Sequence, residues 1–390
     1  MISKQKNPTE ERQYPFLRFT GVILVLSTLL SSGLAGSGPS PKDLEAVDYT
    51  PLVRDDWEVS TPEEQGLDPM LVAELYHNAA ELESIYGLLV IRNGYLIAEG
   101  YFNDGSVEQK TNMTSVTKSY ASALLGIALD QGCLSSLDQK MMEFFPELVD
   151  DIVDPRKMQI TIREMLQMRA GYPWEESTAG LFELLYTGFR PSTLVDVPLT
   201  SDPGAEMQYS NLTSHLLGII VARACETDLK SYAQEHLFSP LDAEVGFWQQ
   251  DWEGYYLSYS DLHFAARDMA KFGLMYLNDG AYEGNQIVPA EWVHDSLQTY
   301  SEDAFGYRVG RNFRDVGYGY QWWSVRAGDH RYDLAWGHGG QQIALLDELD
   351  MIIVVTADPL HGEHGDEPWK LEKANLNLVA DFIASLPSGD

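Results

Sequence analysis

The stretch YGLLVIRNGYLIAEGYF, residues 86–102, sets two β-rich runs on either side of Asn93-Gly94. Asn-Gly tolerates the positive φ angles of a two-residue turn, so the stretch reads as a β-hairpin. Upstream, MLVAELYHNAAELESI (70–85) spaces its apolar residues at helical intervals. Downstream, from about residue 111 to 300, the pattern turns helical, with candidates at 115–131, 138–145, 161–168, 211–225, 229–237, 261–278 and 289–298. Strand patterns return in GYGYQWWSVRA (317–327), RYDLAWGH (331–338), QQIALLDE (341–348) and MIIVVTAD (351–358), and KLEKANLNLVADFIASL (370–386) reads as a closing helix. The two ends of the chain therefore share one antiparallel sheet flanked by helices. The expected fold is α/β (α+β), with an all-helical lobe inserted at about 111–310.

Before this domain, Lys4, Lys6, Arg12 and Arg18 precede the apolar run FTGVILVLSTLL (19–30), and small residues follow in SSGLAGSGPSP. This order is that of a signal peptide over 1–36, with an uncleaved N-terminal anchor as the alternative. Ser37 stands where a lipidated cysteine would be required, which argues against a lipoprotein. Residues 37–56, rich in Pro, Ser and Asp, read as a linker, and 57–390 as the folded domain. The expected location is periplasmic or secreted.

Lys and Arg total 26 against 59 Asp and Glu, a formal charge of −33. Such a surface repels phosphate backbones, which excludes nucleic acid as the natural partner. Solubility and adaptation to a saline medium both account for the acid excess. The two cysteines, Cys133 in LDQGC and Cys225 in VARAC, each close a predicted helix. Buried free thiols are the default reading, and a single bridge the alternative.

Three motifs carry chemistry. Ser115-Val116-Thr117-Lys118 opens a predicted helix. Positions i and i+3 share a helical face, so the Lys118 amine falls beside the Ser115 hydroxyl. A serine needs a base to act as a nucleophile, and a lysine that loses solvent can become one. Tyr209-Ser210-Asn211 precedes another helix. A tyrosine can relay a proton if a nearby cation lowers its pKa, and Asn211 can donate to a carbonyl or accept from an ammonium. Trp336-Gly337-His338-Gly339-Gly340-Gln341 bridges two strands, where glycines mark the close approach of another backbone or a ligand. There is no G-x-S-x-G elbow. His361 and His364 in HGEHGDE lack the spacing of a zinc motif and read as a solvated loop.

S-x-x-K, then Y-x-N about a hundred residues on, then a [K/H]-[T/G]-G strand near the C-terminus resembles the class C β-lactamase-like serine hydrolases. The segments ITIREMLQMRAGYPW (160–174), FAARDMAKFGLMYLNDGAYEGNQIVPAEWV (264–293) and GYGYQWW are also similar to that family, which includes β-lactamases, D-Ala-D-Ala carboxypeptidases, esterases and 6-aminohexanoate-oligomer hydrolases. The resemblance implies an active-site cleft between sheet and helical lobe. It implies Ser115 as nucleophile, Lys118 and Tyr209 as the proton-transfer pair, and Asn211, His338, Gly339 and Gly340 as substrate-binding or supporting residues. The backbone N–H groups of Ser115 and Gln341 would form the oxyanion hole, with no metal or organic cofactor. His338-Gly339-Gly340 stands where many relatives carry Lys-Thr/Ser-Gly to grip a substrate carboxylate. That tilts the expected substrate to a small ester or amide. A β-lactamase, a D-Ala-D-Ala carboxypeptidase and a non-catalytic penicillin-binding sensor are the alternatives.

Overall fold

The structure, a computed structural model, describes residues 39–178, 180, 181, 183, 184, 188–361 and 367–388. The expected export segment and His364 lie outside the described residues. Helix α1 (Pro69–Ala80), capped by the Asp68 carboxylate on the Met70 N–H, leads into β1 (Ile85–Arg92) and β2 (Tyr95–Tyr101). The hairpin forms as the sequence predicts: Asn93 and Gly94 both take positive φ, 51° and 79°. Next come α2 (Thr117–Asp130), α3 (Asn211–Ala224) and α4 (Ala266–Leu277). The chain then forms β3 (Arg314–Tyr318), β4 (Trp323–Ala327), β5 (His330–Gly337), β6 (Gln341–Leu346) and β7 (Met351–Ala357), and closes with α5 (Glu367–Ser385).

All seven strands pair antiparallel in the order β2-β1-β7-β6-β5-β4-β3, so the first hairpin joins the last strand. The central strands are apolar along their whole length because both faces are covered. Leu88, Val90, Ile353 and Val355 join the core shared with α1 and α5, while Leu89, Ile91, Ile352 and Val354 join the core shared with α4. Gly273 lets α4 lie close to the sheet: a Cβ there would stand 3.0 Å from Ile352 and 3.1 Å from Ile343. The result is helix, sheet, helix, with the helical lobe between β2 and β3.

Three expectations need correction. The run 317–327 is not one strand but the adjoining parts of β3 and β4. Gly319 N–H closes a turn on the Trp322 carbonyl, and Gln321 takes φ 64°. The turn sends Trp322 into the core against Phe272 and Tyr276 and leaves Trp323 for the opposite face. The helix expected at 138–145 shrinks to a 3₁₀ turn, Met141–Phe144, with Glu143 folded back on the Lys140 N–H and Pro146 close behind. The cysteines are not free thiols: Cys133 and Cys225 form a disulfide.

That bridge follows from helix packing. α2 and α3 have the same length, 14 residues, and are buried on nearly every side. They touch at their N-terminal ends, where Lys118 reaches Asn211, and run parallel, so their C-terminal ends also meet. The disulfide clamps that far end across 92 residues of chain. In the chain-entropy account, closing such a loop stabilises by roughly 4–5 kcal/mol.

Candidate active site

Ser115 sits in a 3₁₀ turn, Thr114–Val116, that runs straight into α2. Thr114 takes φ 46°, a left-handed conformation that is costly for a β-branched residue, about 1–3 kcal/mol. Two bonds hold it there: its N–H donates to Asn112 Oδ1 (2.8 Å) and its Oγ1 donates to the His338 carbonyl (3.1 Å). The end of β5 closes on the same turn. A Cβ on Gly337 would stand 2.3 Å from both the Met113 carbonyl and Thr114 Oγ1. The glycine expected to permit a close approach does so, and it is Gly337.

Lys118 lies one turn along, 1% exposed, with three partners for its three protons. It donates to Ser115 Oγ (2.8 Å), Asn211 Oδ1 (2.8 Å) and the Tyr259 carbonyl (2.9 Å). Loss of solvent pulls its pKa down to about 7 against the opposing charges of Glu176 and Glu175. Near neutrality about half of it is therefore an unprotonated amine, which keeps two N–H donors for Asn211 and Tyr259 and turns its lone pair to the serine hydroxyl. Tyr209 bonds to Ser115, and Lys118 Nζ lies 4.9 Å from its ring centre. Its phenol is not acidified: burial raises its pKa well above the ordinary value, the Ser115 bond lowers it, and Glu176, Glu372 and Glu175 raise it further. Of the two, Lys118 has the basicity, and Tyr209 is a neutral hydroxyl able to pass a proton on.

Asn211 is the first residue of α3, and a carboxylate fixes that helix start. Glu175, fully buried, accepts from the Asn211 N–H (2.9 Å), the Leu212 N–H (3.1 Å) and Ser210 Oγ (2.8 Å). An anion on free helix N–H groups is favourable. Glu176 accepts from Asn211 Nδ2 (3.2 Å). The amide of Asn211 is thus oriented, with its oxygen on Lys118 and its nitrogen on Glu176.

The third motif divides. Trp336 and His338 face the cleft. Gly339 and Gly340 form the β5–β6 turn at φ 80° and 87°, and Gly340 N–H bonds to the Gly337 carbonyl. Gln341 is fully buried and is not part of the cleft wall; its side-chain amide exchanges two bonds with the Ala357 backbone, at 2.7 and 2.9 Å. The surprise is Glu372 of α5, 5% exposed. It accepts from Trp336 Nε1 (2.8 Å) and the Gly339 N–H (3.1 Å), and its Oε2 lies 2.8 Å from His338 Nδ1. A carboxylate stands beside the motif whose lysine, in the relatives, grips one.

The cleft holds about 370 Å³, within the range of small-molecule sites. Its floor is Ser115 and Tyr209; Trp174, Trp323, Trp336, Trp369, Phe305 and Tyr307 make the walls, with Glu176, Glu372 and His338 between them. Among the described residues no group of three or more His, Cys, Asp or Glu could hold a metal ion. Sequence reading brought Ser115, Lys118, Tyr209 and Asn211 together correctly. It gave Glu175 and Glu176 no role, and it missed Glu372 and the Tyr259 carbonyl. Glu175 stands 36 residues before the helix start it caps, and a backbone carbonyl leaves no trace in side-chain spelling, so neither contact is a local signal.

Comparison with known proteins agrees with this fold. The family model described as Beta-lactamase matches residues 83–375. The chain is 26% identical over 286 residues to the 6-aminohexanoate-dimer hydrolase of Paenarthrobacter ureafaciens, covering 68% of this chain and 70% of that one. Among solved structures, the octameric penicillin-binding protein homologue from Pyrococcus abyssi aligns with TM-score 0.61 at 18% identity, over 80% of this chain and 77% of that one. The D-amino acid amidase of Ochrobactrum anthropi aligns with TM-score 0.55 at 16% identity, over 78% and 95%.

Proposed function

The chain belongs to the beta-lactamase family, and from that premise we propose that it is a serine hydrolase cleaving an ester or amide bond through an acyl-enzyme on Ser115. The observation that carries the reading is the Lys118–Ser115 contact of 2.8 Å, made by an amine whose pKa lies near 7. Neutral Lys118 takes the Ser115 proton as Oγ attacks the carbonyl carbon, which gives a tetrahedral oxyanion and an ammonium. Collapse of the oxyanion breaks the bond to the leaving group, which receives the proton from Lys118 by way of the neutral Tyr209 hydroxyl. Water then attacks the acyl-enzyme, gives its proton to the same pair, and releases the acid with Ser115 restored.

The oxyanion needs two donors. One is the Ser115 N–H at the helix start. For the second we keep the backbone N–H of Gln341, as the resemblance implies. Thr114 Oγ1 donates to the His338 carbonyl, which holds the third motif beside the Ser115 turn. Small esters or amides are favoured over β-lactams because Glu372 repels a substrate carboxylate and occupies the His338 imidazole. Export is the proposed destination: the disulfide favours an oxidising compartment. No helix among the described residues is long and apolar enough to cross a membrane.

A fluorophosphonate probe tests the nucleophile. The expected result is a single adduct on the Ser115 peptide by mass spectrometry, absent in Ser115→Ala; undiminished labelling of the variant overturns the reading. On one preparation, kcat/KM for p-nitrophenyl butyrate should exceed that for nitrocefin, and the reverse order would return the chain to the β-lactamases proper.

A further inference from the structure

Two of the acceptors around Lys118 come from outside its own helix, the Asn211 amide and the Tyr259 carbonyl. Asn211 is fixed as the first residue of α3. The Tyr259 carbonyl belongs to a loop. Trp248 bridges to Leu262 and Gln250 to Tyr256, so the chain doubles back over residues 248–262. A loop carbonyl makes a fixed partner only where other contacts hold the loop.

Those contacts converge on His215, one turn beyond Asn211 on α3. His215 Nε2 lies 3.0 Å from Asp251 Oδ2, and both side chains are fully buried. Asp251 Oδ1 accepts in turn from the N–H groups of Glu253 (2.8 Å) and Tyr255 (2.9 Å), which closes the tip of the loop. Among the described residues His215 Nδ1 has no hydrogen-bond partner, so a hydrogen there would be buried and unpaired. The ring proton therefore sits on Nε2 and is donated to Asp251. The His215 ring meets the Tyr259 ring edge-on, centres 5.7 Å apart, and Phe189 flanks the same ring at 5.4 Å. Beside them Ser258 Oγ sits between the carbonyls of Ser214 (2.8 Å) and His215 (3.0 Å). Gly218 leaves room for this approach: a Cβ there would stand 2.3 Å from Ser258 Oγ. None of His215, Asp251 and Tyr259 lines the cleft. A well-packed apolar pair would hold the loop without the desolvation that this polar pair costs.

We propose that His215 and Asp251 are positioning residues for the base: the pair pins the 248–262 loop to α3, which fixes the Tyr259 carbonyl on Lys118 Nζ and keeps water from that amine. This rests on the hydrolase reading above, with Lys118 as base, and adds to it how the amine is aimed. Asn211 Oδ1 and the Tyr259 carbonyl each take one N–H, which leaves the third direction of Nζ for Ser115. If the loop lifts, Nζ loses one of the acceptors that orient it and gains solvent. Burial is the first cause of its lowered pKa, ahead of the opposing charges of Glu176 and Glu175, so wetting moves that pKa up. Tyr209 and Tyr259, the other titratable groups beside the amine, are held neutral by burial.

Three variants test it. His215→Met fills the space of the ring without a donor, and His215→Gln keeps an N–H near the Nε2 position. Asp251→Ala breaks the same contact from the loop, outside the packed helix, and serves alone if His215→Met does not fold. Turnover of p-nitrophenyl butyrate is followed across pH and expressed per site labelled to completion by the fluorophosphonate, so unfolded protein is not counted. In His215→Met and Asp251→Ala, kcat should fall about ten- to a hundred-fold with KM within about three-fold, and the acid limb of kcat/KM should move up from about 7 by about one pH unit. His215→Gln should recover most of the rate and return the limb. With Ser115 labelled, a limb and rate unmoved in the breaking variants, or a loss shared equally by His215→Gln, overturns the positioning role and leaves the hydrolase standing. Wild-type protein that the phosphonate does not label overturns both.

Discussion

The two sides of Ser115 are built on opposite principles. On the helical side, Lys118, Asn211, Glu175 and the Tyr259 carbonyl form a dry, fully bonded cluster, with α2 and α3 meeting at Lys118–Asn211 and clamped by a disulfide at the far end. On the strand side, His338, Glu372 and the tryptophans face an open cleft. The first region has no room for a ligand, and burial there sets the basicity of one amine. The second has room and little influence on that basicity. On the proposed function, reactivity and selectivity are separated in space, and substitutions on the two sides should fail in different ways.

The largest effect is expected at the base. Lys118→Met should lower kcat/KM by about a thousand-fold or more. Wild-type kcat/KM should fall as pH drops through about 7, because protonated Lys118 cannot accept the serine proton, and this limb should vanish in the variant. A limb that persists unchanged would move the base elsewhere. Tyr209→Phe should also be slow, and its loss should not add to that of Lys118→Met, since the pair acts as one relay.

The seam between the regions comes next. Gly337→Ala places a methyl 2.3 Å from Met113 O and Thr114 Oγ1, so β5 and the nucleophile turn must separate. A shift of about 1 Å costs roughly a hundred-fold in rate. The pH limb near 7 should survive, since Lys118 keeps its surroundings. Loss of the limb would show that the two sides are not independent.

The smallest kinetic effect belongs to the clamp. Cys133→Ser with Cys225→Ser should lower stability by about 2–5 kcal/mol, read as a lower Tm, with kcat/KM within a few-fold of wild type at 25 °C. A large kinetic loss without a change in Tm would show that the disulfide positions Lys118 and does more than hold the fold. An unchanged Tm under reducing and oxidising conditions would show that the thiols are unpaired.

Much of this protein was legible from spacing alone. Asn93-Gly94 dictated a hairpin because few dipeptides accept two positive φ angles. Ser115 and Lys118 were bound to meet because any helix brings i and i+3 to one face. The expected strand at 317–327 failed because its break depends on Gly319 lying against the Ser296 carbonyl, a contact across 23 residues that local patterning does not record. Gln341 was read for its backbone N–H alone; that its side-chain amide ties β6 to the Ala357 backbone of β7 is a contact across 16 residues that local spelling does not record.

The sequence by itself determined most of the elements, their order and the meeting of Ser115 with Lys118, because each follows from short-range geometry that repeats in any protein. The tertiary structure alone decided that the Lys118 pKa falls to about 7, that Glu372 stands beside His338, and that Cys133 pairs with Cys225. A pKa depends on how much water is excluded, and a contact across 34 or 92 residues depends on which surfaces pack; neither is a property of any short stretch of chain.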